Sequence, residues 1–90
     1  MLTIQQKQIT ASELKTNYKQ LKIDHETILN DLLFTEEQFH HALNVTEETN
    51  GYDVWKLRDY LVDKLQEQGL TVYPFSILKT NRWYRYKKTW

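Results

Sequence analysis

The fold is decided by one stretch of the chain, DHETILNDLLFTEEQFHHALN at residues 24–44. Asp24 is a favoured residue type just before a helix, and Thr35 with Gln38 forms the capping-box pattern of a second helix start. Apolar residues follow each start at helical spacing. They are Ile28, Leu29, Leu32 and Leu33 in the first half and Phe39, Ala42 and Leu43 in the second. Only Leu33 and Phe34 separate the two halves, which predicts a tight, angled helix-turn-helix pair.

The sequence also predicts a longer helix before this pair, from Thr3 to about Leu21. Thr3 with Gln6 forms another capping box. The apolar residues that share its inner face are Ile4, Ala11, Leu14, Tyr18 and Leu21. Leu2 and Ile9 fall on the opposite side, where they are either ordinary exposed aliphatics or a small contact surface between subunits.

A central helix follows the pair at about residues 53–68. Asp53 caps its start, and Gly69 stands just beyond its end. Apolar residues cover more than half of its girth, so we expect it to be mostly buried.

The remaining residues, 70–90, are called the C-terminal segment below. Ser76 is placed to cap a last helix that runs to about Lys87, but the aromatic residues of this region also suit a strand. The sequence therefore predicts one all-α domain over residues 1–90. Its architecture is a four- or five-helix bundle with a helix-turn-helix core.

The composition excludes several classes of site. The chain has no cysteine, which excludes a disulfide scaffold, a cysteine zinc site and a thiol nucleophile. His40 and His41 are adjacent, so they do not form the i, i+4 pair that binds zinc on a helix. Because no phosphate-binding Gly-rich loop or nucleophile motif is present, we expect no enzyme activity, no cofactor and no small-molecule ligand.

No apolar run is long enough to cross a bilayer, and the first residues lack the apolar core of a signal peptide. We therefore expect no membrane association and a cytoplasmic location. The absence of cysteine fits a reducing compartment.

The formal net charge of zero hides a segregation along the chain. Residues 1–22 carry four Lys and one Glu, a sum of +3. Residues 23–55 carry eight acids without any Lys or Arg, and residues 56–90 carry eight Lys or Arg with three acids, giving −8 and +5. Local asymmetry of this kind indicates more about partners than the total does.

Two further segments carry a family resemblance. DVWKLRDYL at residues 53–61 and YPFSIL at residues 73–78 resemble an uncharacterised bacterial family, the domain of unknown function DUF2316. The resemblance spans nearly the whole chain and includes the LLFTEE turn at residues 32–37, where relatives typically have Gly in place of Leu33. It implies a helix-turn-helix fold related to bacteriophage repressors, and it brings no established activity and no catalytic residues.

In a DNA-reading helix-turn-helix, the second helix lies in the major groove and its outward residues contact bases. Gln38, His41 and Asn44 have side chains of the types that read adenine or reach phosphate. Lys and Arg supply most DNA affinity, however, and this helix has neither, while Glu36 and Glu37 would repel phosphate. The alternative is that the helix pair simply packs a small bundle.

The strongest concentration of positive charge lies in the C-terminal segment. Its cations are Lys79, Arg82, Arg85, Lys87 and Lys88, and they are interleaved with Trp83, Tyr84, Tyr86 and Trp90. Cations with exposed aromatic rings suit a nucleic-acid backbone and its stacked bases. Two other interpretations stay open. The aromatic residues cover the core while the cations are solvated, or the segment docks against the acidic residues 23–55 of its own chain or of a partner subunit.

Arg58 lies close to the apolar stripe of the central helix, where a charge is normally paired. We expect a structural ion pair with an acid of the helix-turn-helix pair, and Asp31 is one candidate.

Two functions follow from these observations. The first is a nucleic-acid-binding or transcription-regulatory protein, expected as a homodimer, that uses the C-terminal segment and the second helix of the pair. The second is a protein–protein interaction module that has the helix-turn-helix fold without DNA binding. The charge pattern favours the second function, and the habitual use of the fold favours the first.

Overall fold

The computed structural model describes residues 2–81 and 84–90. In these ranges the chain forms four α-helices and no strand. The helices are α1 (Ile4–Gln20), α2 (His25–Leu32), α3 (Glu36–Asn44) and α4 (Gly51–Glu67). The all-α prediction is therefore confirmed, with four helices in the described part of the chain.

Two of the predicted helix starts are confirmed at the level of single hydrogen bonds. The Thr3 hydroxyl accepts from the Gln6 N–H at 3.1 Å, and the Gln6 side chain accepts from the Thr3 N–H at 2.9 Å. Thr35 and Gln38 repeat this reciprocal pattern at the start of α3, at 3.1 and 2.8 Å. Each box satisfies N–H groups that a helix start leaves unpaired, so local sequence is sufficient to place these starts.

The start of α4 corrects the prediction. The helix begins at Gly51, and Asn50 rather than Asp53 is its N-cap, with the Asn50 side chain accepting from the Asp53 N–H at 2.9 Å. An Asn-Gly pair is a turn signal, but an Asn side chain is an equally good cap acceptor. The Tyr84 ring packs against Gly51 so closely that a Cβ there would lie 2.2 Å from it. A larger side chain at this position would therefore displace the Tyr84 ring.

The turn between α2 and α3 contains a residue in an unfavourable backbone conformation. Leu33 has φ 59° and ψ 40°, the left-handed region that favours glycine. Its N–H donates to Asn30 at 3.3 Å, and the Phe34 N–H donates to the Leu29 carbonyl at 3.0 Å. These bonds close the end of α2 although the side chain at Leu33 makes the conformation costly.

α4 lies at the centre of the packing and contacts α1, α2 and α3. Its inner face includes Leu57, Tyr60, Leu61 and Leu65, which are fully buried. The other helices contribute Ala11, Leu14, Ile28, Leu32, Phe39 and Ala42. Burying an aliphatic side chain of this size stabilises the fold by about 1.5–3 kcal/mol relative to leaving it exposed.

Two residues near the N-terminus lie on the sides opposite to those predicted. Ile4, predicted on the inner face of the first helix, is 78% exposed. Leu2, predicted on the outer side, packs against the core. Leu2 precedes the N-cap and therefore does not follow helical periodicity, while Ile4 lies in the first turn, at the end of the helix.

The C-terminal segment contains neither helix nor strand in residues 70–81 and 84–90. The helix predicted from Ser76 to about Lys87 is therefore wrong for the described part of that range. Ser76 donates its N–H at 3.1 Å and its hydroxyl at 2.8 Å to the Glu13 carboxylate. A contact with α1 thus replaces the expected cap.

A second contact from α1 holds the same segment. The Tyr73 N–H donates to the Asn17 side-chain oxygen at 2.7 Å, and the Asn17 amide donates back to the Tyr73 carbonyl at 3.0 Å. Phe75 and Leu78 then bury their side chains in the core. α1 therefore fixes the path by which the C-terminal segment returns across the bundle.

Candidate functional site

The outward surface of α3 is acidic at its N-terminal end. Glu36, Glu37, Gln38 and His40 are exposed. Acids in a first turn stabilise a helix because they face the positive end of its dipole. The same placement makes this end of α3 repel phosphate.

The three predicted base contacts on α3 are each engaged within the chain. Gln38 serves the capping box of Thr35. The His41 Nδ1 lies 2.7 Å from the Thr46 hydroxyl, and the Asn44 amide donates to the His40 carbonyl at 2.9 Å. Reading bases with these side chains would therefore compete with local hydrogen bonds.

A hydrogen-bond chain that joins α1, α2 and α3 runs beside this surface. The His25 Nε2 lies 2.8 Å from the Glu36 carboxylate, and its Nδ1 lies 3.0 Å from the Tyr18 hydroxyl. A carboxylate only accepts, so Nε2 carries a proton, and in the neutral ring Nδ1 accepts from Tyr18. The Phe39 ring meets the His25 ring edge-on at 5.0 Å.

Sequence reasoning assigned this histidine no such role. Its partners come from two other helices, α1 and α3. In the sequence, the signal is confined to His25 at the start of one helix and Glu36 at the start of the next. The bond between them ties the two helix starts together. Together with the bond from Tyr18, it links α1, α2 and α3 beside the α3 surface.

Arg58 corrects the predicted ion pair. Its Nη1 lies 2.9 Å from Asp59, and its guanidinium stacks over the Phe75 ring at 5.1 Å. Asp31 instead accepts from the Tyr60 hydroxyl at 2.7 Å. The predicted partner was wrong because Arg58 faces the returning C-terminal segment, which contributes Phe75, while Tyr60 faces α2.

The cations of the C-terminal segment divide into two groups where they are described. Lys79, Arg85, Lys87 and Lys88 are all exposed, but only Lys88 has a carboxylate partner among the described residues. Lys88 lies 2.6 Å from Asp63 on α4, and this hydrogen bond raises the pKa of Lys88. The predicted contacts Arg82 and Trp83 lie outside the described residues.

Three aromatic residues of this segment, Tyr84, Tyr86 and Trp90, pack against α4. The Tyr86 hydroxyl donates to Asp59, and the Trp90 indole N–H donates to Asp63 at 3.0 Å. The Trp90 ring meets the Tyr60 ring edge-on at 5.3 Å. Tyr84, Tyr86 and Trp90 are partly buried against the core. This agrees with the interpretation in which the aromatic residues cover the core. The ring faces that pack against the core are not free to stack on bases.

The acids that receive this segment are not the ones predicted. The side-chain contacts go to Asp59 and Asp63 of α4, which lie outside the acidic residues 23–55. The contact to the acidic stretch is made by the Thr89 hydroxyl, which donates to the backbone carbonyl of Asp31 at 2.6 Å. Acids of α4 thus supply the complementary charge.

These contacts shift the titration of the groups involved. Burial would raise the pKa of Asp63, but hydrogen bonds from Lys88 and Trp90 outweigh it and hold that pKa below its ordinary value. Burial, aided by the hydrogen bond to Asp59, raises the pKa of Tyr86. Burial and the hydrogen bond to Asp31 raise the pKa of Tyr60 in the same way.

A family model described as an uncharacterised protein conserved in bacteria (DUF2316) matches residues 1–87. The chain belongs to the DUF2316 family. No curated protein and no solved structure matches this DUF2316 protein. Within the described ranges, none of its helices combines the length and apolar character that crossing a membrane requires. The same ranges contain no cluster of three or more His, Asp or Glu that could hold a metal ion.

Proposed function

We propose that this DUF2316 protein is a cytoplasmic protein–protein interaction module built on a helix-turn-helix arrangement. Its contact surface is the turn between α2 and α3 together with the outward surface of α3. The observation that carries the proposal is Leu33, which is 71% exposed while it holds a left-handed backbone at φ 59°.

Leu33 is unfavourable for the isolated domain in two respects. A left-handed conformation costs an L-residue roughly 1–2 kcal/mol, and glycine avoids that cost. An exposed leucine also gains little from burial. Strained residues that the fold does not require point to a functional surface.

Val45 provides the internal comparison. It also has a left-handed backbone, at φ 48°, but it is only 7% exposed and packs in the core. Burial therefore offsets the strain at Val45, whereas a binding partner would offset it at Leu33.

The chemistry around Leu33 indicates the kind of partner. Glu36 and Glu37 follow Leu33 by three and four residues, at the start of α3. Residues 23–55 contain no Lys or Arg. A partner surface with an apolar pocket and neighbouring cations complements this arrangement, because opposite charges steer association and suppress wrong partners. The basic C-terminal segment of a second copy has this charge, so a homodimer is one form of the interaction.

A second candidate function is duplex DNA binding with a regulatory role. It is supported by the left-handed turn between two short helices and by the exposed cations Lys79, Arg85 and Lys87. The acidic end of α3 opposes it, so these cations would hold the phosphate backbone without base reading.

A salt titration on random duplex DNA separates the two functions. We expect no measurable binding at about 50 mM salt, because α3 lacks phosphate-binding cations. Binding that falls with salt at a log–log slope of about −2.7, as three phosphate contacts produce, would favour the second candidate. Arg85→Gln and Lys87→Gln should then weaken it.

The interaction function is tested with Leu33→Gly. Partners captured from lysate by the unmodified protein are purified and titrated against both proteins, and self-association is followed by sedimentation. We expect Leu33→Gly to lose binding while staying folded, and Ile4→Ala, which alters another exposed aliphatic, to retain it. A partner that binds both variants equally would contradict the proposed surface.

A further inference from the structure

A cavity of about 760 Å³ lies away from Leu33, at the opposite end of α3. Four separate parts of the chain line it: the start of α1, the loop between α3 and α4, the first turns of α4, and the C-terminal segment. Its volume falls within the range of roughly 300–1,000 Å³ that is typical of small-molecule sites. Because its lining comes from four segments, no local motif marks it, and sequence reasoning expected no ligand.

One part of the cavity wall is apolar and built from core residues. Val54, Trp55 and Leu78 line it but are at most 7% exposed overall, so the half-buried Leu2 and Ile77 present more of its apolar surface. Tyr84 forms a neighbouring wall, where its ring packs on Gly51 and meets the Tyr52 ring edge-on at 5.2 Å. Aromatic and aliphatic walls of this kind hold the body of a small ligand by excluding water.

The remaining lining is polar and biased towards an anion. Lys7 is the cation among the described lining residues, and its ammonium has no carboxylate within 4.0 Å in that part of the chain. Gly51 begins α4, where Asn50 caps the Asp53 N–H while the Gly51 and Tyr52 N–H groups lack intrahelical acceptors at the positive end of the helix dipole. Thr49 also lines the cavity, and its buried hydroxyl has no hydrogen-bond partner among the described residues.

Glu47 is the one carboxylate among the described lining residues. It is exposed, so solvent screens its charge more than it screens the half-buried Lys7. The balance at the polar end therefore favours a negative group.

We propose that this cavity binds a small amphipathic carboxylic acid, with its apolar body against Leu2, Ile77 and Tyr84 and its carboxylate towards Lys7 and the start of α4. This binding is separate from the protein contact at Leu33, so either can fail without the other. A small acid bound here contacts α1, α4 and the C-terminal segment together.

The test compares 3-phenylpropanoate with its neutral amide, which has nearly the same shape. Binding is followed by NMR on the indole N–H of Trp55 and by calorimetry. We expect the acid to bind about tenfold more tightly than the amide, because a charge-assisted hydrogen bond is lost in the amide. Lys7→Gln should remove this difference in affinity. Glu47→Gln should increase the affinity for the acid about two- to threefold, because it removes a solvent-screened negative charge near the bound carboxylate.

Two further variants guard against an unspecific result. Lys15→Gln removes a lysine of α1 that does not line the cavity, and it should leave both affinities unchanged. Thr80→Trp fills the cavity from an exposed position and should abolish binding without unfolding the core. The proposal is overturned if neither probe binds, if acid and amide bind equally, or if binding persists in folded Thr80→Trp.

Discussion

At the scale of single residues, Leu33 links stability to the proposed contact surface. Leu33→Gly should raise the free energy of unfolding by about 0.5–1 kcal/mol, since relief of the left-handed strain exceeds the extra chain entropy of glycine. Little burial is lost, because the side chain is 71% exposed. Urea unfolding of both proteins measures this change, and we expect the two proteins to have equal m-values.

Val45→Gly is the matched control for that prediction. It relieves the same kind of strain but removes a side chain that is 7% exposed, so it should destabilise the domain by about 1 kcal/mol or more. If Leu33→Gly proved equally destabilising, Leu33 would be a packing residue and the contact surface proposed for it would lose its basis.

At the scale of elements, α1 acts as the anchor of the C-terminal segment through two buried polar side chains. Asn17→Leu leaves the Tyr73 N–H and carbonyl without their partners, which are now at 2.7 and 3.0 Å. We expect a loss of about 2–3 kcal/mol of unfolding free energy, the cost of stranding partly buried polar groups. Urea titration gives the loss, and hydrogen exchange at the Tyr73 amide should accelerate more than exchange within α3.

An exposed position on the same helix controls for any general effect on α1. Gln8→Leu adds an apolar side chain without touching Tyr73 and should leave the Tyr73 amide protected. Unchanged exchange at Tyr73 in Asn17→Leu would show that the core contacts of Phe75 and Leu78 alone hold the segment.

At the scale of the whole molecule, the closure of residues 84–90 onto α4 predicts how stability depends on pH. The pKa of Asp63 is lowered from 3.8 in the folded protein, so its contribution is present above that value and lost as the pH falls through the folded pKa. The pKa values of Tyr60 and Tyr86 are raised from 10.0, so their contributions are present below pH 10 and lost as the pH rises towards the folded values.

Urea unfolding across the pH range should therefore show a plateau bounded by an acid and an alkaline decline. Asp63→Asn should flatten part of the acid decline, and Tyr86→Phe should flatten part of the alkaline one. If Asp63→Asn lost as much stability at acid pH as the unmodified protein does, the contacts of Asp63 with Lys88 and Trp90 would contribute nothing to stability in solution.

The sequence by itself determined where most of the helices begin and that the chain is all-α. The reciprocal capping of Thr3 with Gln6 and of Thr35 with Gln38 uses partners three residues apart, and helical periodicity likewise needs only near neighbours. The family resemblance, which implies glycine at the position of Leu33, also indicated a left-handed backbone there.

The tertiary structure decided the pairings between distant residues. The partner of Arg58, the chain through His25, the anchoring of Ser76 by Glu13 and the cavity beside Trp55 all join residues from different helices or loops. Periodicity states which side of a helix is apolar, but not which neighbour that side meets. The direction in which the C-terminal segment returns depends on packing against α1 and α4, and that packing places Tyr84, Tyr86 and Trp90 against the core.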